Sequence, residues 1–214
     1  TEFPGKGRGL VAAREVEKGE LIFQDKPVIK LAVDAEGHPV DPGFMTSLKE
    51  QLERLPAEAK LQFYKLKTHD HIHTHAYFGS LEILKLFMSN TSIYKDFKEG
   101  KEKYTSVLRL NIALLNYSCA PNATHGEAKL KEQEGYEDKY VELRAIKNIL
   151  KGEEITTCYF NDVKKLGCIP RQRKTVIKAD FGFDCKCPVC LGNVPGQEKI
   201  VKKLIDLHKK LNPT

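Results

Sequence analysis

Cys185, Cys187 and Cys190 stand in the run Cys-Lys-Cys-Pro-Val-Cys, three thiols close enough in sequence to ligate one metal ion. Structural zinc takes four ligands in a tetrahedron, usually thiolates and imidazoles, so this cluster is one ligand short and the fourth must come from elsewhere in the fold. The other cysteines are Cys119, Cys158 and Cys168. Two rival chemistries fit the set less well. A disulfide framework suits a short secreted chain, whereas a chain of 214 residues without a signal-peptide pattern can build a core without staples. A redox Cys-x-x-Cys pair, here Cys187 and Cys190, is expected beside a βαβ pattern, and none surrounds it. Zinc therefore leads.

Two further groups invite chemistry. Gly5-Lys6-Gly7-Arg8-Gly9 could cradle a ligand, because glycine lets backbone amides approach closely. It lacks the Walker spacing and no helix follows it, so taken alone it reads as a flexible turn. The run His69-Asp70-His71-Ile72-His73-Thr74-His75 would set alternate histidines on one face of a strand, where they could chelate a divalent ion. A polar loop between helices accounts for it as well.

The elements that must position these groups are readable in outline. Residues 9 to 31 are β-structure: Leu10 to Ala13, a turn at Lys18-Gly19, then Leu21-Ile22-Phe23 and Val28-Ile29. Asp34 to Gly43 is a loop. Met45, Leu48, Leu52 and Leu55 recur at helical spacing, Pro56 starts a second helix through Leu61 and Tyr64, and a third runs from about Ser80 to Met88. The middle is thus expected to be helical. Strands are expected around Ala123 to Leu130, Tyr140 to Ile146 and Glu154 to Phe160, then a basic helix from Arg171 to Ala179 and a closing amphipathic helix over Ile200 to Leu211.

The length fits one domain with a large insert, or a domain with a small appendage. No apolar run approaches the roughly 18 to 20 residues that span a bilayer, which favours a soluble, intracellular protein with no membrane contact. The net charge is +6, with Lys164, Lys165, Arg171, Arg173, Lys174, Lys178, Lys202, Lys203, Lys209 and Lys210 concentrated late. Such an excess can steer a protein to nucleic acid, although a solvated helix face is the commoner use. Glu132, Glu134, Glu137 and Asp138 form an acidic stretch.

Taken in order, Gly-Lys-Gly-Arg-Gly-Leu, Asn116-Tyr117-Ser118-Cys119-Ala120-Pro121-Asn122, Glu153-Glu154-Ile155-Thr156-Thr157-Cys158-Tyr159 and Phe181-Gly182-Phe183-Asp184-Cys-Lys-Cys-Pro-Val-Cys resemble the SET-domain protein lysine methyltransferases. The match runs from about Gly5 to Cys190 around the helical insert and is most similar to the SMYD branch and related fungal SET proteins. It departs from SMYD in having no cysteine-rich MYND finger near Asp34 to Gly43.

The resemblance implies an α+β, mainly β SET fold: small twisted sheets with a knot-like core, a helical insert and a zinc-binding post-SET segment. The corresponding segments are 1–33 and 106–164 for the two parts of the SET domain, 34–105 for the loop and insert, 165–195 for the post-SET segment and 196–214 for a C-terminal helix. It nominates Cys119 as the ligand that joins Cys185, Cys187 and Cys190 on one zinc, leaving Cys158 and Cys168 free. It implies S-adenosylmethionine as cofactor, held by the main chain at Lys6, Gly7 and Arg8, by the Asn116 side chain, by the main chain at Tyr117, and by Phe183 on the adenine. Asn90 is a further contact from the insert, with an ordinary helix C-terminal role as its alternative.

Tyr159 is the catalytic residue the resemblance implies. Methyl transfer from a sulfonium to an amine is an in-line displacement, so the enzyme must present a neutral lysine amine along one axis. A desolvating channel beside a cation disfavours the ammonium form, and a tyrosine hydroxyl can orient the lone pair. Two positions depart from the pattern. Tyr117 stands where the family usually has His. Phe181, counted with the cofactor contacts, stands where several SMYD members carry a second channel tyrosine.

The function implied is S-adenosylmethionine-dependent methyl transfer to a lysine ε-amine of a histone or non-histone protein, by a monomer in nucleus or cytoplasm, with contact to chromatin or nucleic acid through the basic C-terminal region. The alternative is a catalytically silent SET fold that binds a partner or nucleic acid through its zinc-bordered tail. SMYD proteins continue into a helical C-terminal domain, of which the 200–211 helix would be the start.

Overall fold

The computed structural model describes residues 1–4, 6–68, 81–98, 100–127, 140–159 and 170–192. The His69–His75 run, the acidic stretch 132–138, Cys168, the closing helix and the basic residues at 164–165 and 202–210 lie outside the described residues. In chain order the strands are β1 (Glu2–Phe3), β2 (Gly7–Arg8), β3 (Leu10–Val11), β4 (Leu21–Asp25), β5 (Ile29–Val33), β6 (Thr91–Lys98), β7 (Lys101–Leu108), β8 (Asn116–Tyr117), β9 (Ala123–Glu127), β10 (Val141–Ala145) and β11 (Glu154–Thr157). The helices are α1 (Phe44–Arg54), α2 (Ala57–Tyr64), α3 (Leu81–Ser89) and α4 (Pro170–Phe181), with a 3₁₀ turn at Ile112–Leu114. This is an α+β architecture of small sheets and short helices. No described helix is long and apolar enough to cross a membrane.

The chain packs as two units, one of Thr1–Glu20, Leu115–Thr124 and Ala145–Thr214, the other of Leu21–Leu114 and His125–Arg144. In the second unit β5 alternates inward, burying Ile29, Leu31 and Val33, while α1 buries Phe44, Leu48 and Leu52 at four-residue spacing. Those faces meet with Phe63, Leu84 and Phe87 in one apolar core. Strand β5 is an edge of the order β5–β7–β6, and α1 covers that edge: Gln51 Oε1 accepts from Lys30 N at 3.0 Å and Gln51 Nε2 donates to Lys30 O at 2.9 Å. Blocking an edge strand in this way removes a template for intermolecular pairing.

The helices fall where the apolar spacing puts them, but the expected helical middle is not helical throughout. Residues 91–108 form a long hairpin, paired from Thr91↔Leu108 to Lys98↔Lys101, with Gly100 at φ +74° in its turn. The alternation in Thr-Ser-Ile-Tyr-Lys-Asp-Phe-Lys is interrupted by charges, so its period-2 signal is weak. The Gly that closes the turn is the better clue, because a tight hairpin needs a left-handed residue there.

The first unit gathers the strands that carry or adjoin three of the sequence motifs in one small sheet. Its order is β3–β11–β8. β11 runs antiparallel to β3, with Glu154↔Val11 and Ile155↔Leu10, and parallel to β8, with Thr156↔Asn116 and Thr157↔Tyr117. Parallel neighbours cannot be joined by a tight turn, so this pairing brings together segments far apart in sequence.

Candidate functional site

Because β3 continues directly from the glycine loop, the sheet sets three sequence motifs side by side: the loop, the Asn116–Tyr117 strand, and the strand that ends just before Tyr159. The loop is cross-strapped by β1 and β2, paired Glu2↔Arg8 and Phe3↔Gly7, with Gly7 at φ +80°. Gly9 shows how close the packing is. A Cβ built there would meet Asn116 Nδ2 at 2.5 Å and the Phe3 ring at 2.9 Å, so no larger residue fits without moving Asn116.

Glu154 joins the loop to the asparagine. Its carboxylate pairs with the Lys6 ammonium through Oε2 and accepts from Asn116 Nδ2 through Oε1 at 2.8 Å. Asn122 pins the same strand from within. Its Nδ2 donates to Glu153 Oε1 at 3.0 Å and to Glu154 O at 2.8 Å, while its Oδ1 accepts from Thr156 N at 2.9 Å. Neither Glu154 nor Asn122 was singled out from the sequence as a site residue. Each stood inside a quoted motif, but the partners lie more than thirty residues away and no local periodicity announces them.

Asn122 is 5 % exposed, so Asn122→Ala should leave the Thr156 amide without its acceptor. An orphaned buried donor costs about 1–3 kcal/mol, and urea unfolding of the variant should show a loss of that size. A loss under about 0.5 kcal/mol, the range of an ordinary surface change, would show the pin to be idle.

Tyr159 follows β11 and is partly buried; its hydroxyl donates to Leu115 O at 2.5 Å. Burial, with the Glu154 charge adding to it, holds the phenol above its ordinary range, so it stays protonated at neutral and mildly alkaline pH. Its ring is one of four that form a closed circuit. Tyr117 lies edge-on to Tyr159 with centroids 5.3 Å apart, Tyr159 edge-on to Phe181 at 5.2 Å, Phe181 tilted on Phe183 at 6.4 Å, and Phe183 tilted on Tyr117 at 5.9 Å. Contacts of this geometry add to what area burial alone supplies.

Helix α4 delivers the last two rings. It ends at Gly182, whose φ of +74° and amide bond to Lys178 O at 3.0 Å make a glycine helix stop. Phe181 and Phe183 flank that stop, and Ile177, fully buried, packs into the same cluster as Cys185, Cys187 and Cys190.

The sulfurs of Cys119, Cys185, Cys187 and Cys190 all lie within 4.8 Å of one another, with Cys119 and Cys190 at 3.5 Å. A tetrahedral ion with metal–sulfur bonds of about 2.3 Å sets its sulfurs about 3.8 Å apart, so this group fits a four-thiolate site. The three late cysteines are buried. Four thiols so close cannot all ionise without a cation between them. Hydrogen bonds with Cys119 and Cys185 push the Cys187 thiol down, those with Cys119 and Cys187 push Cys185 up, and burial pushes Cys190 up. A divalent ion resolves that conflict by deprotonating all four. Cys158 packs against this cluster but is not one of the four.

Asn90 and Arg173 make contacts of their own. Asn90 belongs to the other unit, where both amide hydrogens are used locally: Nδ2 donates to Leu86 O and Lys67 O, each at 2.8 Å. That is the helix C-terminal role. Arg173, one of the late basic residues, is 1 % exposed and so is not part of a solvated basic face; Arg171 and Lys178 are exposed, and Lys178 pairs with Asp184 at 2.8 Å.

The glycine loop leads into β3, Asn116 lies on β8 and Tyr159 follows β11, so one small sheet gathers these three motifs, with the four-cysteine cluster in the same unit. Residues 7–160 match the family described as SET domain, and the chain belongs to it. It is 28% identical over 208 residues to "Histone-lysine N-methyltransferase set5" of Schizosaccharomyces pombe, which covers 97% of this chain and 53% of that protein. Over 79 residues it is 34% identical to "Protein-lysine N-methyltransferase SMYD4" of Homo sapiens, covering 37% of this chain and 8% of that one. Over 115 residues it is 29% identical to "Histone-lysine N-methyltransferase SMYD1" of Homo sapiens, covering 46% and 23%. The chain thus spans about half the length of the fission-yeast relative and less of the human ones.

Proposed function

We propose that this chain transfers a methyl group from S-adenosylmethionine to the ε-amine of a lysine in a protein substrate, histone or non-histone. The observation that carries the reading is the meeting of the glycine loop, Asn116 and the Tyr159 strand on one sheet, in a chain of the SET family. The names of its relatives, histone-lysine and protein-lysine methyltransferases, support the substrate class. Such substrates favour the nucleus or cytoplasm as its compartment.

The residues present suit the cofactor: an ammonium at Lys6, an amide at Asn116, and the ring faces of Phe181 and Phe183. The main chain at Lys6, Gly7, Arg8 and Tyr117 and the side chains of Asn116 and Phe183 would hold it, Phe181 lying alongside. When bound, it supplies an electrophilic methyl on a sulfonium. Tyr159 orients the lysine amine. Its O–H is spent on Leu115 O, so its oxygen lone pairs are left to accept an amine N–H, turning the amine lone pair along the displacement axis. A phenol kept protonated by burial does not serve as the base; the amine must arrive neutral.

Cys119, Cys185, Cys187 and Cys190 would hold one structural zinc, which would tie the segment of Phe181 and Phe183 to that of Asn116 and Tyr117 and supply no chemistry to the transfer itself. Isothermal titration with S-adenosylmethionine, followed by labelled methyl transfer over histones and a cell extract, tests the proposal. Binding with transfer is expected. Binding without transfer points to a silent SET module, and the absence of both in zinc-replete protein removes the enzyme reading.

A further inference from the structure

We propose that the Tyr117 hydroxyl is an outer-sphere donor to the metal site, hydrogen-bonding the Cys119 thiolate and so setting how firmly the ion is held. The proposal rests on the zinc reading above and concerns the one position in the Asn-Tyr-Ser-Cys motif that departs from the family pattern.

Tyr117 is 4 % exposed, and its hydroxyl lies 3.4 Å from Cys119 Sγ, within hydrogen-bond reach of a sulfur. Between two neutral groups either atom could donate. With a divalent ion bound, the thiolate carries no proton, so the phenol becomes the donor. The ring that carries the hydroxyl is fixed from three sides. Its strand β8 pairs with β11 at Thr157, and the ring packs against those of Tyr159 and Phe183. Its position is therefore set by the same groups that shape the catalytic end of the sheet. Donors of this kind orient a metal ligand and draw charge from it, and they are worth roughly 10- to 100-fold in metal affinity.

The consequence is a direct link between the two halves of the site. Tyr117 touches the catalytic tyrosine with its ring and the metal ligand with its hydroxyl, so a disturbance of the ion reaches Tyr159 through one side chain. It acts as a positioning residue, since its side chain touches neither methyl donor nor amine in this role.

The test uses zinc-loaded protein titrated with a chromogenic zinc chelator, and the cobalt(II)-substituted protein read by its sulfur-to-metal charge-transfer band. Tyr117→Phe keeps the ring packing and removes only the donor. Its zinc affinity should fall by about tenfold or more. Its charge-transfer band should move to lower energy, because a thiolate without a donor is easier to oxidise. A ring-fluorinated tyrosine at position 117, which keeps the fold and strengthens the donor, should move the band to higher energy. Tyr159→Phe, which removes a hydroxyl that bonds a carbonyl and not a sulfur, should leave the band in place. A band unmoved by both changes at position 117 overturns the proposal whatever the affinity does, since lost packing alone could loosen the ion. If the wild-type protein takes up no metal, the zinc reading itself fails and this inference with it.

Discussion

Tyr159→Phe is expected to lower methyl transfer by roughly 100-fold or more, the scale on which a positioned acid, base or orienting group acts. Cofactor affinity should stay nearly unchanged. The ring of the variant keeps its edge contacts with Tyr117 and Phe181, so the pocket wall survives. What disappears is the oxygen that accepts the amine N–H, together with the hydrogen bond to Leu115 O. Leaving that carbonyl unpaired costs about 1–3 kcal/mol of stability where it is buried, and Leu115 is 1 % exposed. The variant should therefore melt earlier than wild type and still titrate with S-adenosylmethionine. Turnover equal to wild type at saturating cofactor would remove Tyr159 from its role. The pH profile separates the two parts of the account: with a phenol that stays protonated, the rate should rise with pH as the substrate amine loses its proton and show no second limb from Tyr159 at neutral pH.

Removing the metal should have an effect of similar size on a different observable. Chelation, or Cys119→Ser, is expected to lower cofactor affinity at least tenfold, because on the proposed zinc site the metal's binding free energy would hold the late cysteine segment in place. Phe181 and Phe183 contact Tyr159 and Tyr117 from the same short segment that carries Cys185, Cys187 and Cys190 to Cys119, so loosening those cysteines should loosen the rings. Without a metal the four sulfurs have only hydrogen bonds among themselves, such as the one between Cys119 and Cys190, a weak substitute for four metal–sulfur bonds. Cys119→Ser should also lower zinc content measured by elemental analysis. An unaltered zinc stoichiometry would take Cys119 out of the ligand set, and unaltered cofactor binding in the zinc-free protein would make the segment an appendage.

Much of this site could be read in the chain because its groups sit in short motifs. Cys-x-Cys-x-x-Cys announces three ligands by spacing alone. Cys119 was reached only through resemblance, and it lies with the other three because the chain brings it back across the fold. The α1 and α2 helices followed from apolar spacing and from Pro56 at a helix start, local signals that packing did not override. What escaped was non-local. The β6–β7 hairpin hides a weak alternation under charges; that the segments of β8 and β11 meet came only through the resemblance, and their parallel register leaves no trace in either. Glu154 and Asn122 are ordinary polar residues until their distant partners are known. Arg173 looked like surface charge because a helix of basic residues says nothing about which face the fold buries.

The central claim is that this sheet and its cysteine border carry out lysine methylation. The most direct measurement is mass spectrometry of a histone and cell-extract mixture after incubation with zinc-replete protein and isotope-labelled S-adenosylmethionine. The account predicts label on lysine side chains, present with wild type and absent with Tyr159→Phe. Label that persists in the variant, or no label on any lysine while the cofactor binds, would contradict it.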